Sequence, residues 1–120
     1  MKTVIIGAST NPDRASWQAA QLLNQKGFDF VPVGIKEGEV GGRAILFKDQ
    51  LTSVQDVHTV TMYVRPDAQP EWYDAILALH PKRIIFNPGT ENPELAALAK
   101  KNGIEATEAC SLVLLTTGQY

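Results

Sequence analysis

The stretch that decides the fold is TVIIGASTNPDRASW, residues 3–17. Its first four residues are all β-branched and predict a strand, which ends abruptly at Gly7. A polar turn with Asn11 follows, and apolar residues then recur at helical spacing from Ser16, which we predict to be the N-cap. A strand, a small-residue loop and a helix in this order suit phosphate binding, because backbone N–H groups reach the anion and the helix dipole favours it.

The loop is only part of a dinucleotide fingerprint. That fingerprint has three glycines in the pattern G-x-G-x-x-G, whereas Gly7 is followed here by Ala8 and Ser9. An ordinary strand-to-helix turn of a parallel α/β protein is therefore the alternative interpretation of this loop.

Length and composition restrict the class of protein. The 120 residues fit one domain, and 44% hydrophobic with 20% charged residues are typical of a globular chain. Eleven basic and thirteen acidic residues give a net charge of −2, so we expect neither nucleic acid nor membrane as a partner. A single cysteine, Cys110, and the lack of a signal-peptide core or membrane-length apolar run lead us to expect a cytoplasmic protein.

Strand and helix patterns alternate along the rest of the chain. Gly27 ends the first predicted helix, Asp67 is the predicted N-cap of the second, and Asn92 with Pro93 begins the third. Strands are predicted at residues 28–33, 57–64, 83–86 and 104–107, with a glycine-rich loop at 35–42, a short extended piece at 44–47, a helical turn at 51–54 and an apolar tail at 110–117.

This alternation predicts an α/β fold in one domain, residues 1–120. We expect a Rossmann-like, doubly wound sheet of about five parallel strands in the order 3-2-1-4-5, with helices on both faces. Ligands of such sheets bind outside the carboxyl ends of the strands, where the strand order reverses. The rule indicates the loops that begin at Gly7, Gly34, Arg65 and Asn87.

The end of the second strand carries a basic residue, Lys36. A carboxylate at this place accepts hydrogen bonds from the ribose of NAD, whereas a cation suits a phosphorylated ribose. Glu37 is the alternative, since a shift of one residue would bring it into the site. Arg14 and Arg65 follow two further strands and add positive charge. A single cation of this kind is more often a solvated loop charge, but three at strand ends on one predicted edge favour an anion site.

Several short motifs together resemble a known family. They are G-A-S-x-N-P-x-R-x-S at residues 7–16, P-V-x-x-K at 32–36, a glycine at 42, Arg65 with Pro66, and the late Cys110. In this order and spacing they resemble the small single-domain CoA-binding proteins, which are similar to the CoA-binding domain of the succinyl-CoA synthetase α-subunit. The resemblance covers nearly the whole chain.

The resemblance implies a CoA site. Its expected residues are Gly7, Ala8, Ser9 and Asn11 around the pyrophosphate with Arg14 and Ser16 beside it, Lys36 at the phosphorylated adenosine, Val64, Arg65 and Pro66 at the border of the nucleotide pocket, and Pro88 and Gly89 toward the pantetheine arm. Two positions depart from the family. Gly34 and Ile35 replace Asn-Pro in the loop that aims Lys36, and Ala109 replaces the arginine that many members have before the cysteine.

No other residues form a recognisable catalytic group. His58 and His80 have no acidic or cysteine partner at metal or triad spacing, so we assign both to structure. Cys110 is expected to be a buried apolar residue, with a mixed disulfide to the CoA thiol as the sharper hypothesis. Trp17 and Trp72 are expected to serve packing.

Three hypotheses of function follow from the sequence. The first is non-catalytic binding of CoA or an acyl-CoA by a protein that is not an enzyme. The second is a small NADP-dependent oxidoreductase, and the third is a regulatory subunit that keeps the nucleotide fold without the ligand. The apolar residues 112–115 could serve a protein partner or a homo-oligomer in the third case, or pack on the sheet.

Overall fold

The computed structural model describes residues 1–120. Its strands are β1 (Lys2–Ile6), β2 (Asp29–Val33), β3 (Glu39–Val40), β4 (Arg43–Ala44), β5 (Val57–Met62), β6 (Arg83–Phe86) and β7 (Glu105–Glu108). Its α-helices are α1 (Ala15–Gln25), α2 (Tyr73–Ala78), α3 (Pro93–Lys101) and α4 (Ser111–Thr116), and 3-10 helices cover Lys48–Ser53, Pro66–Ala68 and Pro70–Trp72.

Five parallel strands form the central sheet in the order β2-β1-β5-β6-β7. Alternate side chains of the central strands enter two separate apolar cores, one on each face. Ile5 packs with Ala20 of α1 and Leu115 of α4, whereas Ile6 belongs to the core of α2 and α3. The predicted doubly wound α/β fold with helices on both faces is confirmed.

The strand order differs from the expected 3-2-1-4-5, because the third predicted strand, residues 57–64, lies as β5 beside β1 and not beside β2. The short extended piece predicted at residues 44–47 contacts β2 through a single bridge, from Leu46 to Val33. Gly41 and Gly42 have φ of +59° and +81° and turn the chain back into the β3–β4 hairpin. The 3-10 helix that starts at Lys48 then leads the chain away, so the next sheet strand, β5, lies beside β1.

The outer edge of β2 is covered by the Arg43 side chain and by the backbone at Leu46. Arg43 donates to the carbonyl oxygen of Phe30 at 2.7 Å and stacks its guanidinium 4.5 Å from the Phe30 ring. The same guanidinium donates to the Asp29 carboxylate and thereby lowers the pKa of that group. Leu46 donates to the carbonyl oxygen of Pro32 at 2.9 Å, and Pro32 itself has no N–H to offer.

Two predicted helix starts were wrong and one is confirmed. Arg14, rather than Ser16, occupies the N-cap position of α1, because its carbonyl oxygen accepts from the N–H groups of Trp17 and Gln18; its side chain makes no cap hydrogen bond. Asp67 lies inside a 3-10 helix, and Pro70 delays α2 until Tyr73. Asn92 caps α3 as predicted, since its side chain accepts from the N–H groups of residues 94 and 95.

The predicted apolar tail forms α4 and closes one core. Leu115 is buried against the α1 side of the sheet, whereas Val113 is exposed. None of the four α-helices combines the length and the apolar character that a membrane span requires.

Candidate functional site

A cleft of about 660 Å³ opens at the carboxyl ends of β1, β2, β5 and β6. The predicted site residues that line it are Gly7, Ala8, Ser9, Asn11, Arg14, Ser16, Gly34, Lys36, Val64, Arg65, Pro88 and Gly89. Pro66 is the exception, since it does not line the cleft although Arg65 before it and Ala68 of the same 3-10 helix do. The strand order of the sheet thus places four loops that are distant in sequence around one cleft.

The backbone donors of the first loop divide into bonded and free groups. Gly7 and Ala8 both donate their N–H to the carbonyl oxygen of Val33, at 2.9 Å each, so these two residues tie the loop to β2. The N–H groups of Ser9, Thr10, Ala15 and Ser16, all in the wall of the cleft, have no acceptor in the protein. These four donors are available to a ligand.

Side chains of the loop hold its shape. Ser9 Oγ accepts from the N–H of Asn11 at 3.0 Å, and Asn11 Oδ1 accepts from the N–H of Asp13 at 3.0 Å. Arg14 donates its N–H to the carbonyl oxygen of Asn11 at 3.0 Å. Because these bonds lie within the loop, its free donors are held in place before any ligand arrives.

Two glycines allow the loops to approach each other. At Gly7, with φ of +97°, an added Cβ would lie 2.9 Å from the backbone of Tyr63. At Gly34 an added Cβ would lie 2.6 Å from the carbonyl oxygen of Ala8. The departure from the family at position 34 therefore has a physical account here, since only a residue without Cβ fits against the first loop.

Three cations and one carboxylate line the cleft, namely Arg14, Lys36, Arg65 and Glu71. This excess of positive charge favours an anionic ligand, although the overall charge of the chain is −2. Glu37, the alternative at the end of β2, does not line the cleft. Arg65 is exposed and lies 3.5 Å from the carboxylate of Asp67.

Residues that sequence patterns did not indicate brace the walls. Gln69 is fully buried, and its amide donates to the carbonyl oxygens of Val64 and Thr90 at 2.8 Å each. Its own oxygen accepts from Asn92 at 2.9 Å. The loops after β5 and β6 are thus joined through one side chain, which no local pattern around a single glutamine could reveal.

A second buried network lies beneath the loop after β6. Asn87 donates to Thr61 Oγ1 at 2.7 Å and to the carbonyl oxygen of Met62 at 2.8 Å, and it accepts from the N–H of Ser111 at 2.8 Å. Thr61 and Ser111 hydroxyls are 2.9 Å apart. The network fixes the start of α4 to the ends of β5 and β6.

Tyr63 lines the cleft and hides its hydroxyl. The hydroxyl oxygen is buried and makes no well-formed hydrogen bond, although the Thr61 and Ser111 hydroxyls, which bond to each other, lie near it. Burial raises the pKa of Tyr63 to about 12, although the neighbouring Thr61 and Ser111 hydroxyls act to lower it. An unpaired buried hydroxyl costs stability.

The histidines and the cysteine lie outside the cleft. His58 Nδ1 is 2.8 Å from Thr59 Oγ1, and burial together with Arg83 lowers the pKa of its ring. His80 lies two residues beyond the end of α2 and has φ of +48°. Cys110 is half-buried at the N-cap position of α4.

Fold and cleft define a Rossmann-like α/β protein with an anion-compatible site at the carboxyl edge of its sheet. Comparison with known families is then decisive, because the model of the CoA binding domain matches residues 1–116. The chain belongs to the CoA-binding domain family. No curated protein matches the chain.

Solved structures of similar proteins share the fold. One, described as an uncharacterized protein, is 44% identical with a TM-score of 0.93, and the match covers 99% of this chain and 97% of that one. A hypothetical protein from Pyrococcus horikoshii OT3 is 25% identical with a TM-score of 0.82, over 92% and 78% of the two chains. A protein from Thermus thermophilus, cell-free ID.343, is 20% identical with a TM-score of 0.85, over 99% and 90%.

Proposed function

We propose that this protein binds CoA or an acyl-CoA in the cleft without catalysing a reaction on it. The observation that carries the proposal is the set of four unpaired N–H groups, at Ser9, Thr10, Ala15 and Ser16, in a cleft of a CoA-binding family member. Such donors stabilise an anion strongly because they are fixed before it binds.

The pyrophosphate would lie against these donors, with Arg14 beside it. Gly7 and Ala8 would contribute space rather than hydrogen bonds, since Val33 already accepts from both. Lys36, in the loop after β2, would face the phosphate on the adenosine ribose. Arg65, in the loop after β5, adds positive charge to the cleft and is exposed enough to reorient.

The pantetheine arm would leave toward the loop after β6. Pro88 and Gly89 line that side and present no charged group, which suits the uncharged pantetheine arm. No cluster of three His, Cys, Asp or Glu residues that could hold a metal ion occurs in the protein. The proposal of a binding protein rather than an enzyme rests on the nature of the lining residues, which offer donors and charges for binding.

Parallel calorimetric titrations with CoA, dephospho-CoA, NADP and NAD test the proposal. We expect CoA to bind most tightly and dephospho-CoA more weakly, with NADP and NAD weaker still. Tighter binding of NADP than of CoA would instead support a small NADP-dependent oxidoreductase. Absence of binding by all four compounds would overturn the proposal and favour a regulatory subunit that uses the fold without a nucleotide.

A further inference from the structure

Gln69 joins two loops of the cleft from behind its wall. The side chain is fully buried and does not line the cleft, whereas Val64 and Thr90, whose carbonyl oxygens accept from its amide at 2.8 Å each, do line it. Neither of these carbonyl oxygens accepts a hydrogen bond from any other group of the protein. The amide of Gln69 is therefore the one donor that holds the loop after β5 to the loop after β6 at this point.

The start of α3 fixes the orientation of that amide. Asn92 Oδ1 accepts from the N–H groups of residues 94 and 95 at 3.0 and 3.2 Å, so Asn92 Nδ2 points the other way. Nδ2 donates to Gln69 Oε1 at 2.9 Å and to the Tyr73 hydroxyl at 2.8 Å. Gln69 Nε2 is thereby left facing the two carbonyl oxygens. Every N–H of both amides has an acceptor, so neither amide can flip without losing its partners.

The two carbonyl oxygens depend on this donor. They converge on one nitrogen atom, and without its N–H groups two negative ends of backbone dipoles would face each other unpaired. Thr90 is only 6% exposed, so solvent does not readily replace the lost donor. Removal of the Gln69 amide would therefore be relieved by separation of the two loops.

The phosphate loop is held by a different set of contacts. Gly7 and Ala8 donate to the carbonyl oxygen of Val33 at 2.9 Å each, and Gly34 packs against the backbone of Ala8. None of these contacts involves Gln69. Loss of the Gln69 amide should thus change one side of the cleft and leave the free donors of the phosphate loop in place.

We propose that Gln69 is a positioning residue, which sets the width of the passage between Val64 and Thr90 for the pantetheine arm of CoA. This inference rests on the proposed function, in which the arm leaves the cleft beside Pro88 and Gly89. Gly89 directly precedes Thr90, so a displacement of Thr90 moves that side of the cleft with it. Gln69 thereby contributes to recognition of the arm without touching the ligand.

The test compares CoA with 3′-phosphoadenosine 5′-diphosphate, which keeps all the phosphates of the nucleotide and lacks the arm. Gln69→Leu removes the donors at similar size. We expect it to weaken CoA binding by about tenfold and binding of the armless ligand by about twofold at most, in calorimetric titrations of the purified protein. Thr3→Val is the control, because it removes a hydroxyl that lies 2.8 Å from the Tyr120 hydroxyl, outside the cleft, and should change neither affinity.

Asn92→Asp tests the same role through a second residue that does not line the cleft. Its carboxylate can still accept from the N–H groups that begin α3, but it has no N–H for Gln69 Oε1. The Gln69 amide would flip to donate to the carboxylate and would take its donors away from Val64 and Thr90. We therefore expect the same selective loss of CoA affinity, and this variant decides the matter if Gln69→Leu does not fold.

Two results would overturn the inference and leave the proposed function standing. One is an unchanged affinity for CoA in these variants, and the other is an equal loss for CoA and for the armless ligand. Failure of wild type to bind CoA would instead overturn the proposed function, and this inference with it.

Discussion

The carbonyl oxygen of Ala8 lies only 2.6 Å from the point where a Cβ at Gly34 would stand. The loops after β1 and β2 therefore touch through their backbones, and the touching surface lies in the cleft. Gly34 has no positive φ, so the requirement for glycine here is one of space rather than of backbone conformation. The shape of the phosphate loop at Ala8 thus depends on a residue 26 positions later, the difference between positions 34 and 8.

Replacing Gly34 by alanine should push the two loops apart. We expect Gly34→Ala to lower the free energy of unfolding by about 1–3 kcal/mol, as overpacking does, and to weaken CoA binding at least tenfold. Thermal unfolding and calorimetric titration measure the two effects. Gly103→Ala is the control, because it strains a φ of +74° in open space far from the cleft. Equal loss of CoA affinity in both variants would show that lowered stability, not loop shape, is responsible.

Reversing the charge of Lys36 should distinguish CoA from dephospho-CoA. Lys36→Glu places a carboxylate beside the proposed position of the ribose phosphate, so CoA should lose affinity about tenfold more than dephospho-CoA does. Titration of both ligands at one salt concentration measures the difference. Lys26→Glu makes the same charge change outside the cleft and should affect both ligands equally. Equal losses for both ligands in Lys36→Glu would contradict the assignment.

Removing the hydroxyl of Tyr63 should stabilise the protein. This hydroxyl is buried without a hydrogen bond, so Tyr63→Phe should raise the free energy of unfolding by about 1 kcal/mol. Tyr120→Phe provides the contrast, because the Tyr120 hydroxyl lies 2.8 Å from Thr3 Oγ1, and its loss should lower stability by a similar amount. Urea unfolding measures both variants. A loss of stability in Tyr63→Phe would mean that the hydroxyl has a partner in solution.

The lowered pKa of His58 should make stability depend on pH. The unfolded chain binds a proton at this residue near pH 6.5, whereas burial lowers the pKa of the folded form, so the unfolded state gains protons first as pH falls. Stability from this residue is full above that pH and decreases below it. The difference in Tm between His58→Gln and wild type should therefore shift in favour of the variant between about pH 7.5 and pH 5.5. A constant difference would contradict the prediction.

Local signals in the sequence were enough for some elements and failed for others. Asn92 followed by Pro93 determines the start of α3 with hydrogen bonds that span only three residues, so the pattern predicted it. The prediction of Ser16 as the N-cap was wrong because α1 begins earlier, at Ala15, directly after the turn that starts at Asn11. The short extended piece predicted at residues 44–47 is divided between β4 and the Leu46 bridge, because the turn at Gly41 and Gly42 pairs β4 with β3 in a hairpin.

The residues around the cleft likewise divide into those that the sequence could predict and those that it could not. Residues that follow strand ends could be predicted, because the topology of a doubly wound sheet places them together. Gln69, Ile45 and Thr90 could not, since each takes part through contacts with segments distant in sequence. The sequence also could not show which N–H groups of the first loop are free for a ligand. Only the structure shows that Gly7 and Ala8 donate theirs to the carbonyl oxygen of Val33.

The covered edge of β2 has a consequence for solubility at high concentration. An edge strand with open backbone groups can pair with a strand of another molecule and seed aggregation, but here Arg43 and Leu46 occupy the carbonyl oxygens of Phe30 and Pro32. At the opposite edge, antiparallel pairing of β7 with its copy would set Glu105 against Glu108. Both edges thus disfavour intermolecular strand pairing, and any homo-oligomer is expected to use another surface.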